Sequence, residues 1–337
     1  MGMNTPRRQP TLDEVAERAK VSRSAASRVI NNAPHVSRAK RDAVEKAVKE
    51  LGYTPNRSAR ALVTQQTGIV ILAISGDDPE ILADPFFAQV VVGVCTALES
   101  TDLHLMLCLA TSARSRTSLK NLLHTRGADG IILMALRGDD PLTSIAQSAD
   151  LPVVFGGRPL HSEPTWYVDV DNRGGAQTAV EHLIGLGRTR IAMITGLAET
   201  DVGQARYRGY REAMIMAGLT PYATQPGDFT EPSGATAMTA LLDSHPDLDA
   251  VFAANDNMAA GALRVLRQAG RSVPAEVAVV GFDDLAIARG TDPPLTTIHQ
   301  PIQALGREMT RLLIALLAGE APSSLILPAR LIRRESA

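Results

Sequence analysis

At 337 residues the chain is too long for one ordinary core and suits two or three domains. Its 45% hydrophobic and 21% charged residues are a soluble globular composition, and no run of about 18 apolar residues is present to span a membrane. The net charge of −2 conceals an asymmetry: residues 1–62 carry 13 Lys and Arg against 6 Asp and Glu, and the remainder 21 against 30, so a polyanion would meet the head alone.

Thr11-Leu12-Asp13-Glu14 is a capping box, and the apolar residues Leu12, Val15, Ala16 and Ala19 predict a short first helix behind it. Ser22 opens a second helix through Arg23–Asn31. Ser24, Ser27, Arg28 and Asn31 recur at helical spacing on one face, while Ala26, Val29 and Ile30 take the other. A small, hydrogen-bonding outer face of this kind fits a DNA groove. Ser37 is expected to cap a third helix that buries Val44, Ala47, Val48 and Leu51 and stops at Gly52. The segment Asn56–Leu62 spans only about two turns, too short for an isolated helix, so it is expected to become helical only when something orders it.

From Gly68 onward, apolar runs alternate with helical segments. Strands are predicted at Ile69–Ile74, Leu103–Leu109, Gly130–Ala135 and Val153–Phe155, with a helix at Phe86–Leu98. A second series is expected to open at Tyr167–Val170 and continue with strands at Arg190–Thr195, Ala250–Ala254 and Val277–Gly281. Its helices are predicted near Gly174–Leu186, Ala205–Ala217, Glu231–Leu242 and Met258–Ala269. Such alternation means parallel sheets covered on both faces, and two series mean two lobes with a cleft at the carboxyl ends of the strands. Cys95 and Cys108 have neither metal-ligand spacing nor a disulfide framework, and are expected to be buried small hydrophobes.

The run T-L-D-E-V-A-x-x-A-x-V-S-x-x-x-x-S-R-V-I-N from Thr11, together with L-G-Y-x-P-N-x-x-A-R-x-L at Leu51–Leu62, resembles the DNA-binding head and hinge of the LacI/GalR family of transcriptional regulators. Similarity continues at Val170–Gly175, Ala253–Ala259, Val280–Asp284, Pro294–Pro301 and Arg330–Arg334, so it covers nearly the whole chain. The fold it implies is an all-α helix-turn-helix head with a hinge helix, then a two-lobed α/β effector domain like a periplasmic binding protein. The domains become 9–55 for the head, 56–67 for hinge and linker, and 68–337 for effector binding and dimerisation. The chain would cross between lobes three times, giving lobe one about 68–167 and 299–327, and lobe two about 168–298 and 328–337.

The resemblance places Arg23, Ser24 and Arg28 at base edges in the major groove, where an arginine can donate twice to guanine. It places Thr11, Ser22, Ser27, Asn31, Ser37 and Tyr53 on phosphates, which fix register rather than sequence. Capping and phosphate contact are compatible at Ser22 and Ser37, because both use the helix N-terminus. In the hinge, Leu62 would wedge a base step open from the minor groove, Ala59 would let two hinge helices approach, and Arg57 and Arg60 would flank the groove. Packing of Leu62 on the first lobe is the competing reading.

For the cleft, the resemblance makes Arg206 the effector-binding arginine, with a planar fork suited to vicinal hydroxyls or a carboxylate. Arg208 is the competing candidate two positions on. Asp256 matches a carboxylate that accepts effector hydroxyls, against the simpler reading of a helix cap. Phe229 would form an aromatic wall, Phe86 and Phe87 would open the first helix of lobe one, and Asp84 precedes them. Phe87 as ordinary core and Trp166 at the lobe surface are open alternatives to roles in the pocket. After the strand Val153–Phe155, where many relatives carry Asp or an aromatic, this chain has Gly156-Gly157. That removes a stacking plate for a purine and leaves room for a larger ligand such as a disaccharide.

The resulting expectation is a cytoplasmic, homodimeric repressor of carbohydrate-utilisation genes. It would bind double-stranded, palindromic operator DNA and be released by a mono- or oligosaccharide, with no cofactor, metal or membrane partner. Regulation by a non-sugar corepressor is the alternative. A solute-binding protein is disfavoured by the basic head and by an N-terminus without an apolar signal region. An enzyme is not expected, since no P-loop, G-x-S-x-G or H-E-x-x-H is present. A dimer is favoured over a tetramer because no heptad tail follows Arg334.

Overall fold

A computed structural model describes residues 10–31, 35–54, 66–76, 82–161 and 164–337, which form two compact units meeting in sequence at Thr67 and Gly68. The first unit holds α1 (Leu12–Arg18), α2 (Arg23–Ile30) and α3 (Arg38–Leu51). The capping box closes in both directions: the Glu14 amide donates to Thr11 Oγ1 at 3.3 Å, and the Thr11 amide donates to Glu14 Oε2 at 2.6 Å. Ser22 caps α2 by accepting from the Ala25 amide. Ser37 occupies the N-cap position of α3 with extended backbone, but its hydroxyl makes no capping hydrogen bond, contrary to expectation. Val15, Ala16, Ala26, Val29, Val44 and Ala47 form the buried core of this small unit, with Tyr53 packed against it. Gly52 ends α3 at φ +64°, a conformation glycine adopts without a Cβ penalty. The hinge positions Arg57, Ala59, Arg60 and Leu62 lie outside the described residues.

Among the described residues of the second unit, two six-stranded sheets are built. The first has the order β11-β5-β4-β3-β1-β2 and is parallel throughout. Its strands are β1 (Ile69–Ser75), β2 (His104–Ala110), β3 (Gly130–Met134), β4 (Val153–Gly156), β5 (Tyr167–Val170) and β11 (Leu325–Leu327). The second has the order β12-β10-β9-β8-β6-β7, with β12 antiparallel to β10. It contains β6 (Ile191–Thr195), β7 (Ala223–Pro226), β8 (Ala250–Ala253), β9 (Ala278–Asp283), β10 (Thr296–His299) and β12 (Arg330–Ile332). Within the described residues the chain passes between sheets after β5, after β10 and after β11. Tyr167–Val170 therefore closes the first series instead of opening the second: Phe155 and Gly156 of β4 pair with Tyr167 and Val168.

The period of two along β1 shows why both faces of the first sheet are covered. Val70, Leu72 and Ile74 join one apolar cluster with α4 (Pro85–Leu98) and α12 (Ile302–Leu317). Ile71 and Ala73 join another, with α5 (Ala113–His124) and α6 (Pro141–Gln147). Helices α4 and α12 approach so closely that a Cβ on Gly93 would lie 2.1 Å from the Gln303 carbonyl oxygen, and one on Gly306 would lie 2.3 Å from that of Val90. The second lobe encloses its sheet between α7 (Asn172–Gly185), α8 (Asp201–Met216), α9 (Glu231–Ser244) and α10 (Asp256–Gln268), around buried Tyr210, Phe252 and Phe282. Short α11 (Ile287–Gly290) follows β9, and there Leu285 and Ile287 reach into the first lobe's apolar cluster. Cys95 is exposed on α4 and Cys108 half-buried, so neither is the buried hydrophobe expected from sequence. No helix among the described residues is long and apolar enough to cross a membrane.

Candidate functional site

Two sets of polar side chains stand out, one in each unit. In the head, α2 buries Ala25, Ala26 and Val29 and turns Arg23, Ser24 and Arg28 to solvent. The Arg23 side chain is 71% exposed and only loosely held, with Nε 3.4 Å from Asp13 Oδ1. Arg28 Nε donates to the Ser24 carbonyl at 3.4 Å, and Asn31 Nδ2 to Ser27 Oγ at 3.3 Å. Ser22 and Ser24 share a hydroxyl contact of 3.1 Å. An exposed pair such as Arg23–Asp13 is worth at most about 1 kcal/mol, so the guanidinium can exchange it for a groove edge at little cost.

In the second unit, the ends of β5, β8 and β9, the first turns of α7 and α10 and the second turn of α8 bring their polar residues together. This is where an open parallel sheet offers a ligand site. Arg206, on the second turn of α8, is only 3% exposed. Its Nε donates to Asn172 Oδ1 at 3.0 Å and its Nη1 to the Ala254 carbonyl at 2.5 Å. The same Nη1 lies 3.3 Å from Asp283 Oδ1, and the guanidinium carbon sits 3.6 Å over the Phe282 ring. Gln300 Nε2 donates to Asp283 Oδ1 at 2.5 Å. Asp283 holds φ +112° and Asp284 φ +58°, backbone conformations that side-chain-bearing residues rarely take and that cost about 1–3 kcal/mol each. The strain is located where the carboxylate meets Arg206.

Burial dominates the electrostatics. It lowers the Arg206 pKa against the pull of Asp283, Asp256 and Asp169, and it lifts the Asp283 carboxyl to about 7 even beside Arg206. Both partners are thus pushed toward their neutral forms, the mark of an ion pair whose desolvation outweighs its attraction. Asp256 is fully buried and raised well above its ordinary value, first by burial and then by Asp283. Burial also raises Asp84 and Asp169.

The Asp283 shift has a signed consequence for stability. An unfolded Asp titrates near 3.9, so between that value and about 7 the folded chain keeps a proton that the unfolded chain releases. Stability therefore falls as pH rises through this window. Asp283→Asn is expected to flatten the decline in urea midpoint between pH 4.5 and 7.5, leaving a residual slope from Asp84, Asp169 and Asp256. A variant with the wild-type slope would remove Asp283 as its source.

The structure separates the two arginine candidates: Arg206 points inward, whereas the Arg208 side chain is 49% exposed and pairs with Asp201. Asp256 does not cap its helix. Asn255 does, accepting from the Met258 amide, while Asp256 accepts from the Leu285 amide at 2.7 Å and the Thr297 hydroxyl at 2.5 Å. Asp84 caps α4 through the Phe86 amide, and Asn257 of the other lobe, with that amide, pulls its pKa down against the larger lift from burial. Phe86 and Phe87 meet edge to face at 5.2 Å, with Phe87 buried in the first-lobe core. Phe229 is half-buried at φ +72°, and its carbonyl accepts from Asn255 and Asn257. Trp166 packs half-buried against the first-lobe core.

Asp283, Asn172 and Gln300 join this cluster without being among the residues predicted from sequence. The signal for Asp283 was available: a fully apolar strand running straight into two carboxylates at its carboxyl end.

Residues 11–56 match the model of the lacI family of bacterial regulatory proteins, and 180–337 match a periplasmic binding protein-like domain. The chain is 46% identical over 336 residues to the HTH-type transcriptional regulator CelR of Thermobifida fusca, covering 98% of this chain and 99% of that one. The solved CelR–cellobiose complex is similar at TM-score 0.77 and 43% identity, covering 98% of this chain and all of the other (100%). The lac repressor dimer bound to operator and the anti-inducer ONPF is similar at TM-score 0.85 and 29% identity, covering 98% and 99%.

Proposed function

The chain belongs to the lacI family of bacterial regulatory proteins, and from that membership we propose that it is a homodimeric repressor released from a palindromic operator by a sugar. Residues 9–55 read DNA, 56–67 form the conditional hinge, and 68–337 sense the effector. The observation that carries the effector class is the surplus of carboxylates around Arg206. Asp283, Asp256, Asp169 and Asp84 already bear on one buried cation, and burial lifts all four carboxyls toward forms that donate as well as accept, so the cluster suits neutral hydroxyls better than an anion that would have to displace them. A neutral polyhydroxyl ligand can accept from the guanidinium fork and donate to Asp283 together, and Phe229 offers an apolar face. The solved relative bound to cellobiose favours a glucose disaccharide of that kind.

The cleft is a sensor and not a catalyst. Both Asp256 oxygens are engaged, by the Leu285 amide and the Thr297 hydroxyl, so it is not held free for acid–base work, and Asp283 is held through Oδ1 by Gln300 and Arg206. The protein works in the cytoplasm, where its operator is.

The test is a fluorescence-anisotropy titration of the chain on its own upstream DNA, repeated with cellobiose, glucose, maltose and ribose. Tight binding that one of these sugars weakens at least tenfold is the expected result. Retention of full operator affinity in every sugar would overturn the sugar reading. The hinge is tested separately: Leu62→Ala should weaken operator binding by about tenfold or more, since each tenfold is only about 1.4 kcal/mol and base-step insertion involves a few. Its sugar affinity should be unchanged, and unaltered operator affinity would refute the wedge.

A further inference from the structure

Beside the Arg206 cluster opens a cavity of about 620 Å³, lined by Arg158, Pro159, His161, Pro164 and Tyr167 from the first lobe and by Asp201 from the second. Arg158 leaves β4 by way of Gly157, which sits at φ +80°, and a Cβ there would meet nothing within 4 Å. Arg158 Nε donates to Asp169 Oδ2 at 3.0 Å, yet the side chain stays 41% exposed. Its guanidinium carbon lies 5.9 Å from the Tyr167 ring centroid.

Across the gap, Asp201 Oδ1 accepts from Arg208 at 3.4 Å. Asp201 Oδ2 is buried, lies 3.8 Å from Arg158 Nη2, and has no hydrogen-bond partner among the described residues. A buried acceptor left in this way calls for a donor.

A hydrogen-bond relay joins the cavity to the effector cluster. Asp169, held by Arg158 on one oxygen, accepts from Asn172 Nδ2 at 3.2 Å on the other, and Asn172 in turn accepts from Arg206. Asp201 and Arg206 lie on the same helix five positions apart, an axial rise of about 7.5 Å. The lining combines a multidentate donor, an unsatisfied acceptor, two proline faces and an aromatic ring. Asp169 and Asp201 are matched by Arg158 and Arg208, so the lining has no surplus of positive charge to hold an anion, whereas hydroxyls on a ring with apolar faces satisfy every element.

We propose that this cavity is a subsite for the distal ring of an oligosaccharide whose proximal ring is held at Arg206 and Asp283, so that it sets the chain-length preference of the cleft. The proposal rests on the sugar-effector reading above. Because Arg158 and Asp201 come from opposite lobes, a ring seated here is gripped by both, and the longer ligand gains in holding the lobes together.

Calorimetry on the full chain with glucose, cellobiose and cellotriose tests this, using wild type, Arg158→Gln and, as a second lesion on the other lobe, Asp201→Ala. Wild type should bind an oligosaccharide at least about tenfold more tightly than glucose, and each variant should cut that ratio by about tenfold. Equal weakening of all three sugars, or an unchanged ratio in both variants, would overturn the subsite while leaving the sugar effector standing. A wild-type chain that binds none of the three sugars and is not displaced from DNA by any sugar overturns the parent reading and the subsite with it.

Discussion

Arg206→Ala is expected to raise the Kd for the effector sugar by about 100-fold or more while leaving operator affinity without sugar essentially unchanged. The side chain supplies charge-assisted hydrogen bonds worth about 1.5–3 kcal/mol each, and the planar fork cannot be replaced by a smaller donor. Its contacts, Asn172, Ala254, Asp283 and Phe282, all lie within the second unit, far in sequence from the residues proposed to read DNA. The variant should therefore repress without responding. A structural penalty accompanies this, because breaking a buried pair costs about 3–5 kcal/mol when the remaining charge stays ionised. Asp283 already titrates at about 7 with Arg206 present. Without its cation it rises further and can shed the penalty by keeping its proton. The loss in melting temperature should then be larger at pH 8 than at pH 6. Wild-type sugar affinity in a folded Arg206→Ala chain would contradict the assignment.

Arg23→Ala should weaken operator binding by about 1–3 kcal/mol, roughly 5- to 150-fold, and should relax discrimination at one base pair of each half-site. Arg23 opens α2, points to solvent and among the described residues is tied to an exposed Asp13 alone, so it can reach a guanine edge when the helix enters a major groove. Competition binding against operators substituted one base pair at a time separates base reading from phosphate contact. Loss of preference at a single position supports base reading. Uniform weakening on every sequence, with a shallower salt dependence, would make Arg23 a phosphate contact instead.

The head was legible in the sequence because its signals are local. A capping box, a Ser N-cap and the split between the Ala25–Ala26–Val29 face and the Arg23–Ser24–Arg28 face all lie within a few residues of one another. The strands of the second unit were legible one by one for the same reason. Their partners were not, since a short apolar strand such as Tyr167–Val170 looks alike in either sheet until its pairing with β4 and β11 is known. The candidate site shows the same divide. Arg206 and Asp256 were found through motif matches, but Asp283, Asn172 and Gln300 become neighbours only when parallel strands from distant parts of the chain end side by side. The distinction between Asn255 as cap and Asp256 as buried acceptor is a one-residue question of helix start, where sequence signals are weakest. Ser37 shows the converse, a residue at the right position whose hydroxyl does not make the bond its type suggests.

The central claim is that the cleft and the head are energetically coupled, and thermodynamic reciprocity tests it most directly. Operator affinity is measured by anisotropy with and without saturating effector sugar, and sugar affinity by calorimetry with and without saturating operator DNA. A sugar-released repressor requires the two ratios to be equal, each about tenfold or larger, with operator and sugar weakening one another. Sugar binding that leaves operator affinity unchanged, with operator leaving sugar affinity unchanged, would contradict the account.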